Sequence, residues 1–179
     1  ECVLEEELEF KRELSIMYFK SFDNSDGFFP ISENYHQQGI LNKTIAPIII
    51  DNNVEIDLRL KTKELSHNLN FYGILAIELF ELLDGSILFN EIAPRPHNSF
   101  HWTMDGCYNS QFDILIRTIC GLPVKDVKCS GKWEMKNIIG EEINNIADII
   151  NNQDYMLHLY TKQQTKPGRK MGHYNTKII

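Results

Sequence analysis

Two apolar runs, GILAIELF and SILFNEIA, flank the polar turn sequence ELLDG and carry the clearest pattern in the chain. Asp84-Gly85 is a preferred two-residue hairpin turn, so residues 73–93 are predicted to form two antiparallel strands. Upstream, residues 2–20 hold β-branched and aromatic residues in partial alternation, notably ELSIMYF, and run into SFDNSDG, which is dense in turn formers. That is a hairpin signal. Val54, Leu58, Leu65 and Leu69 fall near one face of a helix over 53–70, which the region of Gly73 ends. In SQFDILIRTICGLP, Phe112, Leu115, Ile116 and Ile119 recur at i, i+3, i+4 and i+7, with Ser110 as a cap and Gly121 and Pro123 as stops. The spacing predicts a helix that buries those four residues. Past Pro123 the pattern loosens into a strand in KWEMKNIIG, a short helix in EEINNIADII and a strand in YMLHLY. The class is α+β, with an expected boundary near 122–125 between a first domain (1–122) and a smaller one (123–179).

Composition narrows the partners. A chain of 179 residues with 42% hydrophobic content supports one good core, or one domain with an appendage. The net charge of −7 argues against a broad nucleic-acid footprint, which needs clustered Lys and Arg, so small molecules are the expected ligands. Cys2, Cys107, Cys120 and Cys129 form no CxxC pair and no zinc spacing; they read as reduced thiols in a cytoplasmic protein. No apolar run approaches the roughly 18 residues of a membrane helix, and no targeting signal is visible, so no membrane partner is expected. The chain opens on ECVLEEELEF with no lead-in, which suggests that a larger protein precedes it.

Counting outward from Asp84-Gly85 opposes Leu83 to Ser86, Leu82 to Ile87 and, four steps on, Glu78 to Glu91. Directly opposed like charges destabilise a strand pair. A structural salt bridge is one remedy. A divalent cation is the other, and two carboxylates with no His or Cys ligand nearby favour Mg²⁺, commonly held through carboxylates plus substrate phosphates. The implied ligand is a nucleoside triphosphate. Glu81, beside the turn, is expected to face solvent. The hairpin runs directly into NEIAPRPHNS, where Pro94 and Pro96 stiffen a loop bearing Arg95, His97 and Asn98.

Three separated stretches, ELFELLDGSILFNEIAPRPHNSFHWTMDGCYNSQFD, NYHQQGIL and KPGRKMGH, resemble the 5-(carboxyamino)imidazole ribonucleotide synthase family of the ATP-grasp superfamily. The resemblance covers residues 2 to about 176. It implies the C-terminal portion of an ATP-grasp domain, an antiparallel sheet with packed helices, followed by a small β-rich domain. The implied reaction is ATP-dependent carboxylation of 5-aminoimidazole ribonucleotide by bicarbonate through carboxyphosphate, in purine biosynthesis, with ATP and Mg²⁺ as cofactors and a homodimer allowed. Carried over residue by residue, Glu5, Glu6, Glu7 and Leu8 match the strand that holds the adenine, Glu13 the ribose-binding acid and His36 a nucleotide contact. Glu78 and Glu91 match the magnesium acids, and Asn90 belongs to the same motif. Arg95, His97 and Asn98 match the bicarbonate and carboxyphosphate pocket, and Lys162 and Arg169 the basic pair that reaches the ribonucleotide phosphate.

The chain departs from the family at Phe100, which puts a bulky ring where a glycine is usual at the pocket edge, and at Ala93, where many ATP-grasp enzymes place a metal-binding Asn. The family's first domain and its glycine-rich phosphate loop are expected before Glu1, so these residues alone are not expected to turn over. Two other readings stay open. One is the formate-using glycinamide ribonucleotide transformylase, whose loop resembles PRPHDTG and lacks the KPGRKMGH turn. The other is a non-catalytic nucleotide-binding module.

Overall fold

The computed structural model describes residues 2, 4, 6–124 and 126–178. In chain order its elements are β1 (Phe10–Lys20), β2 (Asp26–Phe28), β3 (Ser32–Gln37), β4 (Ile40–Ala46), α1 (Asn52–Asn68), β5 (Gly73–Leu82), β6 (Ile87–Ala93), α2 (Thr103–Gly106), α3 (Gln111–Ile119), β7 (Trp133–Ile139), α4 (Ile146–Asn151), β8 (Tyr155–Leu159) and β9 (Lys170–Lys177). The strands form one sheet in the order β6-β5-β1-β3-β4-β7-β9-β8, with β2 folded back on the end of β1, and every pairing is antiparallel.

The central pair, β1 and β5, is apolar because it is covered on both faces. Leu14, Ile16, Leu75, Ile77 and Leu79 meet Leu58 of α1 on one side. Met17, Phe19, Ile74 and Ala76 meet Phe100 and Ile114 of α3 on the other. Side chains alternate along a strand, so Glu13 and Ser15 of β1 and Glu78 of β5 share the face of Met17 and Ala76. That face turns polar toward the far end of the strands. There Asn34 of β3 donates to Ser15 Oγ at 2.6 Å and accepts from Thr44 Oγ1 of β4 at 3.0 Å, all three residues being buried.

Both expected helices form where their caps place them. Asp51 accepts from the Asn53 and Val54 amides at the start of α1, and Ser110 accepts from the Asp113 amide at the start of α3. Their buried faces differ from the expected ones. In α3, Gln111, Ile114 and Thr118 are buried and Leu115 half-buried, whereas Phe112, Ile116 and Ile119 are exposed. Hydrogen bonding makes this arrangement affordable, since the Gln111 amide and the Thr118 hydroxyl are both paired inside. Leu69 is likewise exposed, because α1 ends at Asn68 and Asn70 adopts a left-handed φ of 48° before the chain enters β5.

The sheet crosses the expected boundary at 122–125 without interruption: β7 pairs with β4 over Lys43–Ala46, and Trp102, Trp133, Leu41 and Met135 pack at the join. At the same join Cys107 and Cys129 are bonded as a disulfide, which corrects the reading of all four cysteines as free thiols. The return of residues 128–130 alongside 106–108 brings the two sulfurs together, and sequence spacing gives no sign of that return. Cys2 and Cys120 are free.

Candidate active site

Glu78 and Glu91 are paired across β5 and β6, as the count requires, but by two offsetting departures from it. The turn holds three residues, Leu83 to Gly85, closed by the Leu82 amide on the Ser86 carbonyl at 2.9 Å, with Gly85 at φ 85°. This moves the register by one, so Glu81 faces Ile87 and Leu79 faces Phe89. A bulge at Asn90 then moves it back, and Glu78 meets Glu91. Bulges of this kind turn a side chain out of the pleat and recur beside active sites. Asn90 and Glu91 both lie exposed on this edge strand.

Glu81 is buried rather than solvent-facing. Its carboxylate accepts from Lys11 Nζ at 2.9 Å and from Arg12 Nε, and the same guanidinium reaches Glu33. A bulge between Phe10 and Arg12 brings both cations to this one acid.

Ala93 is buried and anchors the loop that follows. The Arg95 amide donates back to the Ala93 carbonyl at 2.9 Å, and the exposed Arg95 guanidinium donates to the Pro96 carbonyl at 3.0 Å. His97 is only 8% exposed. Its Nδ1 lies 2.8 Å from Ser99 Oγ, and its Nε2 lies 3.6 Å from a Glu78 oxygen and 3.9 Å from a Glu91 oxygen. His97 therefore corrects the expectation of a carboxylate pair with no imidazole nearby. Asn98 follows with both its amide oxygen and its amide nitrogen buried and, among the described residues, unpartnered. Phe100 is fully enclosed in the core against Phe29, at a ring separation of 6.2 Å, and does not form the pocket edge.

Burial pushes the Glu78 carboxyl above its usual range; Glu91 and Glu13 reinforce the rise, and the His36 and Lys170 charges oppose it. Burial also lowers the His97 imidazole to about 4, helped by the positive charges of Arg95, Lys170 and His36. His97 is thus neutral at pH 7. Its Nδ1 pairs with the Ser99 hydroxyl, which leaves the Nε2 edge turned toward the two carboxylates. Glu78, Glu91 and His97 have ligand atoms within 4.8 Å of one another, the one such group among the described residues. Two facing carboxylates and a neutral imidazole fit a divalent cation.

The structure also brings Glu13 and His36 to this face, where His36 Nδ1 contacts the Glu13 carboxylate. Glu6, Glu7 and Leu8 lie in an exposed irregular lead to β1, and Glu5 lies outside the described residues. Lys162 and Arg169 sit on the exposed turn between β8 and β9. Lys162 Nζ donates to the Lys170 carbonyl at 2.6 Å, and the Arg169 guanidinium donates to the Gln164 carbonyl at 3.2 Å. Neither is bonded to the carboxylate group. Lys170 is the residue that sequence reasoning passed over. It is half-buried, and its ammonium is lowered by burial while Glu78 pulls it up. Its signal was its place at the head of a strand whose next three residues are buried.

An ATP-grasp domain model matches residues 1–112, and a model of the phosphoribosylaminoimidazole carboxylase C-terminal domain matches residues 134–177. The chain is 38% identical over 173 residues to the N5-carboxyaminoimidazole ribonucleotide synthase of Bacillus subtilis, covering 96% of this chain and 46% of that protein. To the synthase of Brucella melitensis it is 37% identical over 172 residues, covering 96% and 48%. Among solved structures, the Staphylococcus aureus N5-carboxyaminoimidazole synthetase complexed with ADP superposes with a TM-score of 0.90 at 32% identity, covering 97% of this chain and 48% of that one. The Aspergillus clavatus synthase in complex with ADP and 5-aminoimidazole ribonucleotide superposes with a TM-score of 0.82 at 30% identity, covering 96% and 47%. The chain spans about half the length of these relatives. With one model over the sheet that carries Glu78, Glu91 and His97 and the other over β7 to β9, the chain belongs to the ATP-grasp family, in the branch that ends in the phosphoribosylaminoimidazole carboxylase C-terminal domain.

Proposed function

We propose that this chain provides the nucleotide- and magnesium-binding portion of an enzyme that carboxylates 5-aminoimidazole ribonucleotide with bicarbonate, converting ATP to ADP and phosphate. The observation that carries this reading is the Glu78–Glu91 pair with His97 Nε2 at 3.6 and 3.9 Å. Glu78 and Glu91 would hold Mg²⁺, whose contribution when bound is to neutralise charge on the triphosphate. Glu13 and His36 face the ribose end of the nucleotide. His97 stays neutral at pH 7 and keeps a fixed direction through Ser99, so it need not reorganise as charge develops. The unpartnered Asn98 amide has a free donor and a free acceptor, which suits a small oxyanion such as bicarbonate or the carboxyl group passed on from carboxyphosphate. Lys162, Arg169 and Lys170 present cations to the ribonucleotide phosphate. The 123–179 segment then serves as the ribonucleotide-facing unit.

The test is magnesium-dependent phosphate release from ATP by the full polypeptide that carries this chain. Release is expected to rise when aminoimidazole ribonucleotide and bicarbonate are both present and not when formate replaces bicarbonate. Stimulation by formate with glycinamide ribonucleotide would replace this reading with the transformylase.

A further inference from the structure

Residues 94–97 belong to no strand or helix, yet His97 is held at a fixed distance from two carboxylates. The hold comes from one buried side chain on another element. Gln111, fully buried in the first turn of α3, accepts from the His97 amide through Oε1 at 2.8 Å and donates through Nε2 to the His97 carbonyl at 2.9 Å. A carboxamide gripping both backbone groups of one residue does what a neighbouring strand would do, and no strand is available here. Because a backbone N–H only donates and a carbonyl only accepts, these partners settle which end of the amide is oxygen. The second Nε2 hydrogen points to His101 Nδ1 at 2.8 Å. His101 Nδ1 must accept it, so the His101 proton sits on Nε2 and the ring is neutral. That ring is stacked on His173 at 4.8 Å and on Phe112 at 5.6 Å. Gln111 is itself pinned, since its own amide donates to Thr103 Oγ1 at 3.0 Å and that hydroxyl donates to the Phe100 carbonyl at 2.6 Å.

We propose that Gln111 is the positioning residue of the His97 loop: its carboxamide fixes the backbone that aims His97 at Glu78 and Glu91, and its remaining hydrogen sets the tautomer of His101. The proposal deepens the reading of that site and rests on it only for its meaning, because its test uses neither metal nor substrate.

The test is nuclear magnetic resonance on this chain. In the wild type, the His97 amide is expected to be protected from hydrogen exchange and the ring nitrogen shifts of His101 to report the Nε2–H form. Gln111→Leu removes both grips, and exchange at the His97 amide is expected to quicken at least 100-fold while amides of β5 and of the second turn of α3 stay within threefold. Gln111→Glu keeps the acceptor for the His97 amide but places an oxygen against His101 Nδ1. The grip on the His97 carbonyl is lost with it, and a proton is expected to appear on His101 Nδ1. An Nδ1–H form of His101 in the wild type overturns the proposal, as does unchanged His97 exchange in Gln111→Leu. If Gln111→Leu does not fold, Gln111→Glu decides: an unaltered His101 tautomer overturns it. Loss of any magnesium response in the wild type would instead sink the proposed function and leave these readouts as they are.

Discussion

The hairpin of β5 and β6 with its following loop, and the turn between β8 and β9, both carry charge toward one face, but they hold it differently. In the first, backbone pairing and a buried side chain set the groups: strand register places Glu78 and Glu91, a bulge corrects that register, and a side chain from α3 grips His97. In the second, Lys162 and Arg169 stand on an exposed turn and are occupied by backbone carbonyls, of Lys170 at the head of β9 and of Gln164 in the turn. The contrast separates geometry that must exist before a ligand arrives from charge that only has to be present nearby. Chemistry that needs aligned oxyanions calls for the former, and a phosphate group is satisfied by the latter.

The strongest way to break the contrast is to remove one hairpin charge. Glu91→Gln in the full polypeptide is expected to lower phosphate release by four orders of magnitude or more, about 5.5 kcal/mol, since one of two opposed acids is lost. The thermal midpoint of the chain should hold or rise, because a like-charge contact disappears. Near-normal turnover at saturating magnesium would remove the metal role. Next in size is Phe100→Ala, which tests whether the loop's far end is core and not pocket. It is expected to cost about 3–5 kcal/mol in denaturant unfolding, as truncation of a buried ring does, with magnesium affinity of the folded chain unchanged.

Acid should act on the buried side of the contrast alone. Burial holds His101 near 4 and His173 near 2, both below the ordinary histidine value of 6.5. Above pH 6.5 neither contributes to the pH dependence. As pH falls below it the unfolded chain binds protons that the folded chain refuses, so each histidine steepens the loss of stability by up to about 1.4 kcal/mol per pH unit down to its folded value. Unfolding midpoints followed from pH 7 to 4.5 measure this slope, and His101→Phe should flatten it. The smallest effects belong to the turn. Lys162→Ala or Arg169→Ala is expected to raise the ribonucleotide KM about tenfold, roughly 1.4 kcal/mol, with stability changed by less than about 0.5 kcal/mol. A loss of ATP affinity alone, read by calorimetry, would mean that the turn has been assigned to the wrong ligand.

Period and turn chemistry reveal the hairpin, both long helices, the Ser110 cap and the strands at β7 and β8 in the sequence, because those signals are local. The Glu78–Glu91 opposition was legible too, although the turn is a residue longer than Asp84-Gly85 suggests and only the bulge at Asn90 restores the count. What failed depends on partners distant in sequence. SENYHQ, the β3 strand, shows no apolar alternation because Asn34 is satisfied by Ser15 and Thr44 on neighbouring strands. The inner face of α3 is misread because Gln111 and Thr118 count as polar until their hydrogen bonds are known. Glu81 is misplaced for want of Lys11 and Arg12 some 70 residues away.

The same sheet order also sets a clock on synthesis. β1 pairs with β5 from Phe10↔Leu82 to Lys20↔Gly73, so one long edge of a strand buried from Leu14 to Phe19 waits for a partner made more than fifty residues later. At about 5–20 residues per second that interval lasts several seconds on the ribosome. Only β2, along Tyr18 to Lys20, and β3, along Glu13 to Ser15, can pair with β1 in the meantime. An uncovered apolar edge is a template for other chains. Nascent copies stalled between Lys20 and Gly73 are therefore the form of this protein most exposed to aggregation, and a ribosome-bound series of increasing length should show protease resistance of β1 arriving abruptly once Leu82 has left the exit tunnel.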